Sequence, residues 1–285
     1  MKHYIKLMRM HHYIKNLLVF AALLCSGLFF QTEKLVPGII GFVAFCVTSS
    51  IVYIINDIRD KEKDMQHPKK CKRPIASGKV PVPAACVVAL VLAAVATGCS
   101  IALGNWPAAI LLLAYLVLNL AYSFGLKNVP LVDVAILVSG FVIRVAYGAM
   151  VTGIEASSWL YLTVIACAFY FALGKRKGEL VKTDGEARAV LKHYPKQFLD
   201  KGMTMCLTLA NVFYALWSMD ANTIAHYNNK YLIFTVPIVL LITLKYSLNI
   251  EGESDGDPVE VLLHDKVLLA LCAIYAIAMF CILYI

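Results

Sequence analysis

Apolar residues fall into nine long runs, near 15–31, 36–57, 81–103, 106–124, 129–152, 157–175, 203–220, 230–250 and 264–285, separated by charge or by Gly/Pro clusters. A helix needs roughly 20 apolar residues to cross a hydrocarbon core, so each run is read as one span. Pro37, Pro81, Pro83 and Pro107 lie at the starts of their runs, where a helix tolerates proline. The pattern predicts an all-α polytopic membrane protein with nine transmembrane helices, forming one integral-membrane domain over residues 1–285. No internal repeat, low-complexity tract or linker interrupts it. The start, Met1 to Asn16 followed by Leu17–Phe30, has the outline of a signal peptide. It lacks a small-x-small cleavage site, and Leu24 before Cys25 spoils a lipobox, so it is read as the first helix.

Composition agrees. The chain is 60% hydrophobic and 15% charged, with a mean hydropathy of +0.74. Soluble domains carry about 25% charge, which excludes a water-soluble enzyme and any disordered or collagen-like protein. The net charge of +8 is explained by cytoplasmic loops rather than by nucleic acid. With a cytoplasmic N-terminus and an external C-terminus, only Lys34 and Lys230 fall outside and Arg144 lies within the fifth span. The rest of the 26 Lys and Arg residues lie inside, as the positive-inside rule requires. The nine cysteines contain no CxxC, and all but Cys71 sit in apolar runs. Neither a disulfide nor a metal framework follows, and the histidines show no metal spacing.

The candidate chemistry begins where the second run ends, at Asn56-Asp57-Ile58-Arg59-Asp60-Lys61-Glu62-Lys63-Asp64. Carboxylates at 57, 60 and 64 share one helical face, with Asn56 at its edge and Glu62 pointing away. A row of hard oxygens at a membrane edge suits Mg2+, which takes one or two carboxylates plus substrate phosphates. A solvated helix end, neutralised by Arg59, Lys61 and Lys63, is the plainer alternative. Beyond it, His67-Pro68 leads to Arg73-Pro74-Ile75-Ala76-Ser77-Gly78, a turn-rich loop with fixed cations.

The pair NDxxDxxxD and RPxxSG resembles the UbiA superfamily of intramembrane prenyltransferases, and the resemblance covers essentially the whole chain. It implies a UbiA-like bundle in which Asn56, Asp57, Asp60 and Asp64 hold Mg2+ on a diphosphate while Arg73 steadies a phosphate. Most members carry a second aspartate-rich motif after the sixth span. Here that place reads Gly174-Lys175-Arg176-Lys177-Gly178-Glu179, which fits a ligand with a further, metal-free phosphate. Lys15 and Asn16, Tyr122 and Lys127 at the end of the fourth span, Asp133, and Arg144 in the fifth complete the likeness. Together they resemble the branch of the family that transfers phosphoribosyl groups to polyprenyl phosphates. His264-Asp265-Lys266 matches that branch less well, and the acidic 251–260 stretch reads as a solvated loop.

The implied reaction moves 5-phosphoribosyl from 5-phosphoribosyl 1-diphosphate to a polyprenyl phosphate at the cytoplasmic face of the inner membrane. Asp57, Asp60, Lys175 and Arg176 are the expected catalytic residues. Lys15, Asn16, Arg73, Tyr122, Lys127, Arg144 and Glu179 are the expected substrate-binding ones. Lys175 and Arg176 hold the 5-phosphate or the lipid phosphate. Arg144 lies eleven residues from Asp133, roughly 16 Å along a helix, so it needs another partner or a phosphate. An ordinary prenyltransferase acting on an aromatic acceptor is the alternative. A transporter fits less well, because the charges cluster at inner helix ends and not at the midplane.

Overall fold

The computed structural model describes residues 2–66, 70–183, 189–251, 261 and 264–284. His67, Pro68 and the acidic stretch 252–260 lie outside them. The described residues contain helices and no strand. They group into two compact units, one of 1–125 with 143–155, the other of 126–142 with 156–285.

The first unit opens with α1 (Lys2–Met8), a 3-10 segment (Met10–Phe20) and the four-residue α2 (Ala21–Leu24). It continues with α3 (Thr32–Arg59), α4 (Lys61–Gln66), α5 (Val82–Leu103), α6 (Trp106–Phe124) and the second half of α7 (Val132–Thr152). Local signals explain the boundaries. Pro81 and Pro83 start α5, and Gly104, at φ 60°, ends it in the left-handed conformation. One residue on, the Asn105 side chain accepts from Ala108 N at 3.1 Å and caps α6. α3 begins a turn earlier than the apolar run suggests, leaving Pro37 inside the helix. From its middle onward it is packed: Phe45 and Ala44 meet Val19, Leu112, Tyr115 and Tyr147, while Ile51 and Ile54 meet Leu7, Ile75, Val80 and Ala85.

The second unit takes the first half of α7 and adds α8 (Ser158–Thr183), α9 (Lys196–Met219), α10 (Ala221–Tyr227), α11 (Val236–Glu251) and α12 (Lys266–Tyr284). Its core is Val134, Val138, Tyr170, Leu173, Leu199, Met203, Tyr246 and Leu268.

Among the described residues, eight helices are long and apolar enough to cross a membrane. They match the second to ninth runs of the sequence. The first run is different: instead of one long α-helix it forms the 3-10 segment and α2, and the chain turns at Gly27, φ 73°. Close packing accounts for this. A Cβ on Gly148 would lie 1.8 Å from the Val19 carbonyl oxygen, so the segment runs directly against the α7 backbone where only glycine fits. A 3-10 helix is slimmer than an α-helix and rises about 2.0 Å per residue.

Candidate functional site: two charged clusters

The first cluster lies at the α3–α4 junction. Asp60 ends α3, yet the ladder barely breaks: Asp60 N donates to Asn56 O at 2.9 Å and Asp64 N to Asp60 O at 2.8 Å. Asp57, Asp60 and Asp64 therefore keep the helical stagger. Asp57 and Asp64 are buried, Asn56 and Asp60 half-buried, and Glu62 exposed, as the spacing predicts. The loop that follows is pinned by Ile75 and Val80, each 1% exposed. It is also closed by Ser77 N donating to Arg73 O at 2.8 Å and Val80 N to Pro74 O at 3.0 Å. This turn aims Arg73 at the carboxylates: its Nη1 donates to Asp64 Oδ2 at 2.6 Å and to Asp57 Oδ1 at 3.1 Å.

Arg9 reaches the same oxygen from the other side, with Nη2 2.6 Å from Asp57 Oδ1 and its guanidinium 4.9 Å from the Tyr53 ring centroid. Its backbone is left-handed, φ 53° and ψ 48°, a strained choice for a non-glycine residue. α1, anchored by fully buried Leu7, holds it there. Nothing in the sequence pattern marks Arg9: a lone arginine 48 positions from Asp57 carries no periodic signal.

Whether a divalent cation fits can be judged from these contacts. Two hard carboxylate oxygens, from Asp57 and Asp64, already converge on one cationic nitrogen. The donor set is right for Mg2+. The wider expected quartet is not gathered as one: among the described residues no group of three His, Cys, Asp or Glu stands ready around a metal. Arg9 and Arg73 take that place on the carboxylates.

The second cluster lies at the C-terminal end of α8. Arg176 was expected to hold a phosphate, but its side chain is 0% exposed. Its Nε lies 2.6 Å from Asp133 Oδ2 and its Nη1 2.9 Å from Glu179 Oε2. Asp133, also 0% exposed, accepts a further bond at 2.6 Å from the Tyr194 hydroxyl. That hydroxyl in turn accepts from Leu131 N at 2.6 Å, and Leu131 has φ 65°. Burial and the neighbouring Asp133 carboxylate push the Tyr194 phenol up to about 12, so it stays a donor at neutral pH. Glu179, expected at the substrate, serves here as the partner of Arg176. Lys177 pairs with Asp200 at 2.7 Å and with Glu251. Lys175 is half-buried on the same helix end.

Arg144 has found its partners within the first unit. Its Nε donates to Asn16 Oδ1 at 2.8 Å and its Nη2 to the Tyr115 hydroxyl at 3.2 Å, and the guanidinium lies 4.9 Å from the Phe45 ring centroid. Asn16 also donates to Cys46 Sγ and Ser49 Oγ, both at 3.2 Å. The structure thus joins two residues expected at the substrate into one buried network. Lys15, Tyr122 and Lys127 are half-buried. Asp265 accepts from Leu268 N at 2.8 Å, capping α12, and pairs with Lys245 at 2.8 Å. The Lys245 ammonium and that backbone bond hold its carboxyl down at about 2.

The UbiA prenyltransferase family matches residues 17–264, and the chain belongs to that family. It is 36% identical to the decaprenyl-phosphate phosphoribosyltransferase of Corynebacterium glutamicum, over 96% of this chain and 85% of that one. The Mycolicibacterium smegmatis protein of the same name is 35% identical over 93% of this chain and 87% of its own. Among solved structures, a UbiA homologue from Archaeoglobus fulgidus bound to GPP and Mg2+ superposes with a TM-score of 0.72, at 18% identity and 99% coverage of both chains. The family and the apolar helices make this an integral membrane protein.

Proposed function

We propose that the chain transfers 5-phosphoribosyl from 5-phosphoribosyl 1-diphosphate to a polyprenyl phosphate, working at the cytoplasmic face of the inner membrane with its N-terminus inside and its C-terminus outside. The observation that carries this reading is the similarity, along nearly the full chain, to decaprenyl-phosphate phosphoribosyltransferases. A phosphate oxygen of the lipid attacks ribose C1, the C1–O bond to the diphosphate breaks, and diphosphate departs with the electron pair. The acceptor needs no strong base, since a phosphate monoester with a second pKa of about 6 is largely ionised at neutral pH.

Asp57 and Asp64, with Asn56 and Asp60 beside them, would hold Mg2+, which when bound neutralises charge growing on the leaving diphosphate. Arg73, on its pinned turn, contacts the diphosphate oxygens. Lys175 takes a phosphate at the second cluster. Arg176 acts one step removed, as a positioning residue: through Asp133 and Glu179 it fixes the end of α8 that presents Lys175. Asn16 and Arg144 fix the 3-10 segment, from which Lys15 projects.

The test supplies purified protein with radiolabelled 5-phosphoribosyl 1-diphosphate and polyprenyl phosphate. Label entering the lipid fraction, blocked by EDTA and restored by Mg2+, is the expected result. Prenyl transfer from an isoprenyl diphosphate to an aromatic acceptor, with no phosphoribosyl transfer, would falsify the proposal.

A further inference from the structure

We propose that a concavity between α1 and the loop before α5 is a headgroup site for an anionic phospholipid. It has a volume of about 290 Å3 and is lined by Lys2, His3, Lys6, Lys72, Pro74 and Lys79. No carboxylate stands among these lining residues. Lys2 and Lys6 are one helical turn apart, a like-charge spacing that weakens a helix, and the fold sets two further lysines opposite them. Both walls are fixed. Leu7 beneath α1, and Ile75 and Val80 beneath the loop, belong to one hydrophobic cluster, and Lys6 Nζ donates across the gap to Lys72 O at 3.5 Å. The lysines are therefore held together rather than free to spread, and a multivalent oxyanion relieves their repulsion.

The apolar side of α1 says which oxyanion. Ile5 is 48% exposed and lies about 60° round the same short helix from Lys2. A cationic face next to an exposed aliphatic side chain is the arrangement of a helix lying in a membrane interface. Lysines at that depth draw anionic lipids. The ligand thus has a phosphate-bearing head in the concavity and a chain along Ile5. It is not the transferase substrate bound by another face: Arg73 turns towards Asp57 and Asp64, while its neighbours Lys72 and Pro74 line the concavity.

The experiment uses full-length protein in detergent. It measures binding of dioctanoyl phosphatidylglycerol and dioctanoyl phosphatidylcholine by native mass spectrometry, with inorganic phosphate as competitor. Phosphatidylglycerol should bind in preference to phosphatidylcholine. A Lys6→Gln, Lys79→Gln double variant should lose about 30-fold in phosphatidylglycerol affinity, at about fivefold per lysine, and leave phosphatidylcholine unchanged. Ile5→Ser should weaken phosphatidylglycerol alone, without making phosphate a better competitor. Lys79→Gln by itself, on an exposed loop residue, serves if the double variant melts early. Equal binding of the two lipids, undiminished phosphatidylglycerol binding by the variants, or displacement by inorganic phosphate at matched concentration would each overturn the site. None of these readouts depends on phosphoribosyl transfer.

Discussion

The two charged clusters differ in the exposure of their cations. At the α3–α4 junction the anions are buried and the cations are not: the Asp57 and Asp64 side chains are 2% and 5% exposed, the Arg9 and Arg73 side chains 17% and 24%. At the end of α8 both charges are buried: Arg176 and Asp133 are at 0%, and only the second partner, Glu179, reaches 19%. Solvent-accessible arginines can swing from the carboxylates and be replaced by another cation. Arg176 has no such freedom, because leaving Asp133 would strand two desolvated charges. The first cluster is therefore suited to exchange ligands during a reaction, and the second to hold a helix end still. Substitutions should separate the two by what they damage.

The largest effect is expected at Asp57. Asp57→Ala removes the oxygen shared by both arginines and by the proposed metal site, so phosphoribosyl transfer should fall below detection at any Mg2+ concentration. Binding of Mn2+, followed by electron paramagnetic resonance, should fall with it. Full turnover at saturating Mg2+ would remove the acidic face from the mechanism. Next comes Arg176→Ala, which leaves Asp133 as a buried, unpaired carboxylate at a cost of about 3–5 kcal/mol. Here the protein should melt early, with activity lost in proportion to folded protein. If Arg176→Ala melts normally and only the substrate KM rises, Arg176 is a phosphate ligand after all and the contrast collapses.

Lys175→Ala sharpens the same contrast from the other side. Half-buried and not part of the Arg176–Asp133 pair, it should cost about 1.5–3 kcal/mol in substrate binding, the worth of a charged hydrogen bond. Melting should stay unchanged. A fall in melting temperature matching that of Arg176→Ala would make the whole helix end structural.

Much of this was legible in the chain. Eight apolar runs became eight helices, because run length and the Pro and Gly punctuation at Pro81, Pro83 and Gly104 act locally. The acidic face also followed from spacing alone, since Asp57, Asp60 and Asp64 need only a helix to align. What escaped was tertiary. The first run reads like any other span, and only its contact with Gly148 shows why it takes 3-10 geometry. Arg176 reads in the sequence as a phosphate-binding cation because its partner, Asp133, is 43 positions away. Tyr194, one tyrosine among 15, has no pattern to mark it.

Tyr194 supplies the finest test. Its hydroxyl donates to Asp133 and accepts from Leu131 N, so Tyr194→Phe leaves one backbone N–H unpaired at a residue already in a left-handed conformation. The expected loss is about 1–3 kcal/mol, smaller than for Arg176→Ala because Asp133 keeps its arginine. The pH dependence has a fixed sign. The folded phenol titrates at about 12 against about 10 in the unfolded chain, so its protonated form is favoured by folding. The stabilisation is complete below pH 10 and disappears as pH rises through 12. A difference tyrosinate titration, wild type minus Tyr194→Phe, should show one phenol ionising near pH 12, and the wild type should lose its stability advantage over the same interval. A phenol titrating near 10 would mean that Asp133 does not hold the hydroxyl, and the cluster would then be looser than the buried Arg176–Asp133 pair requires.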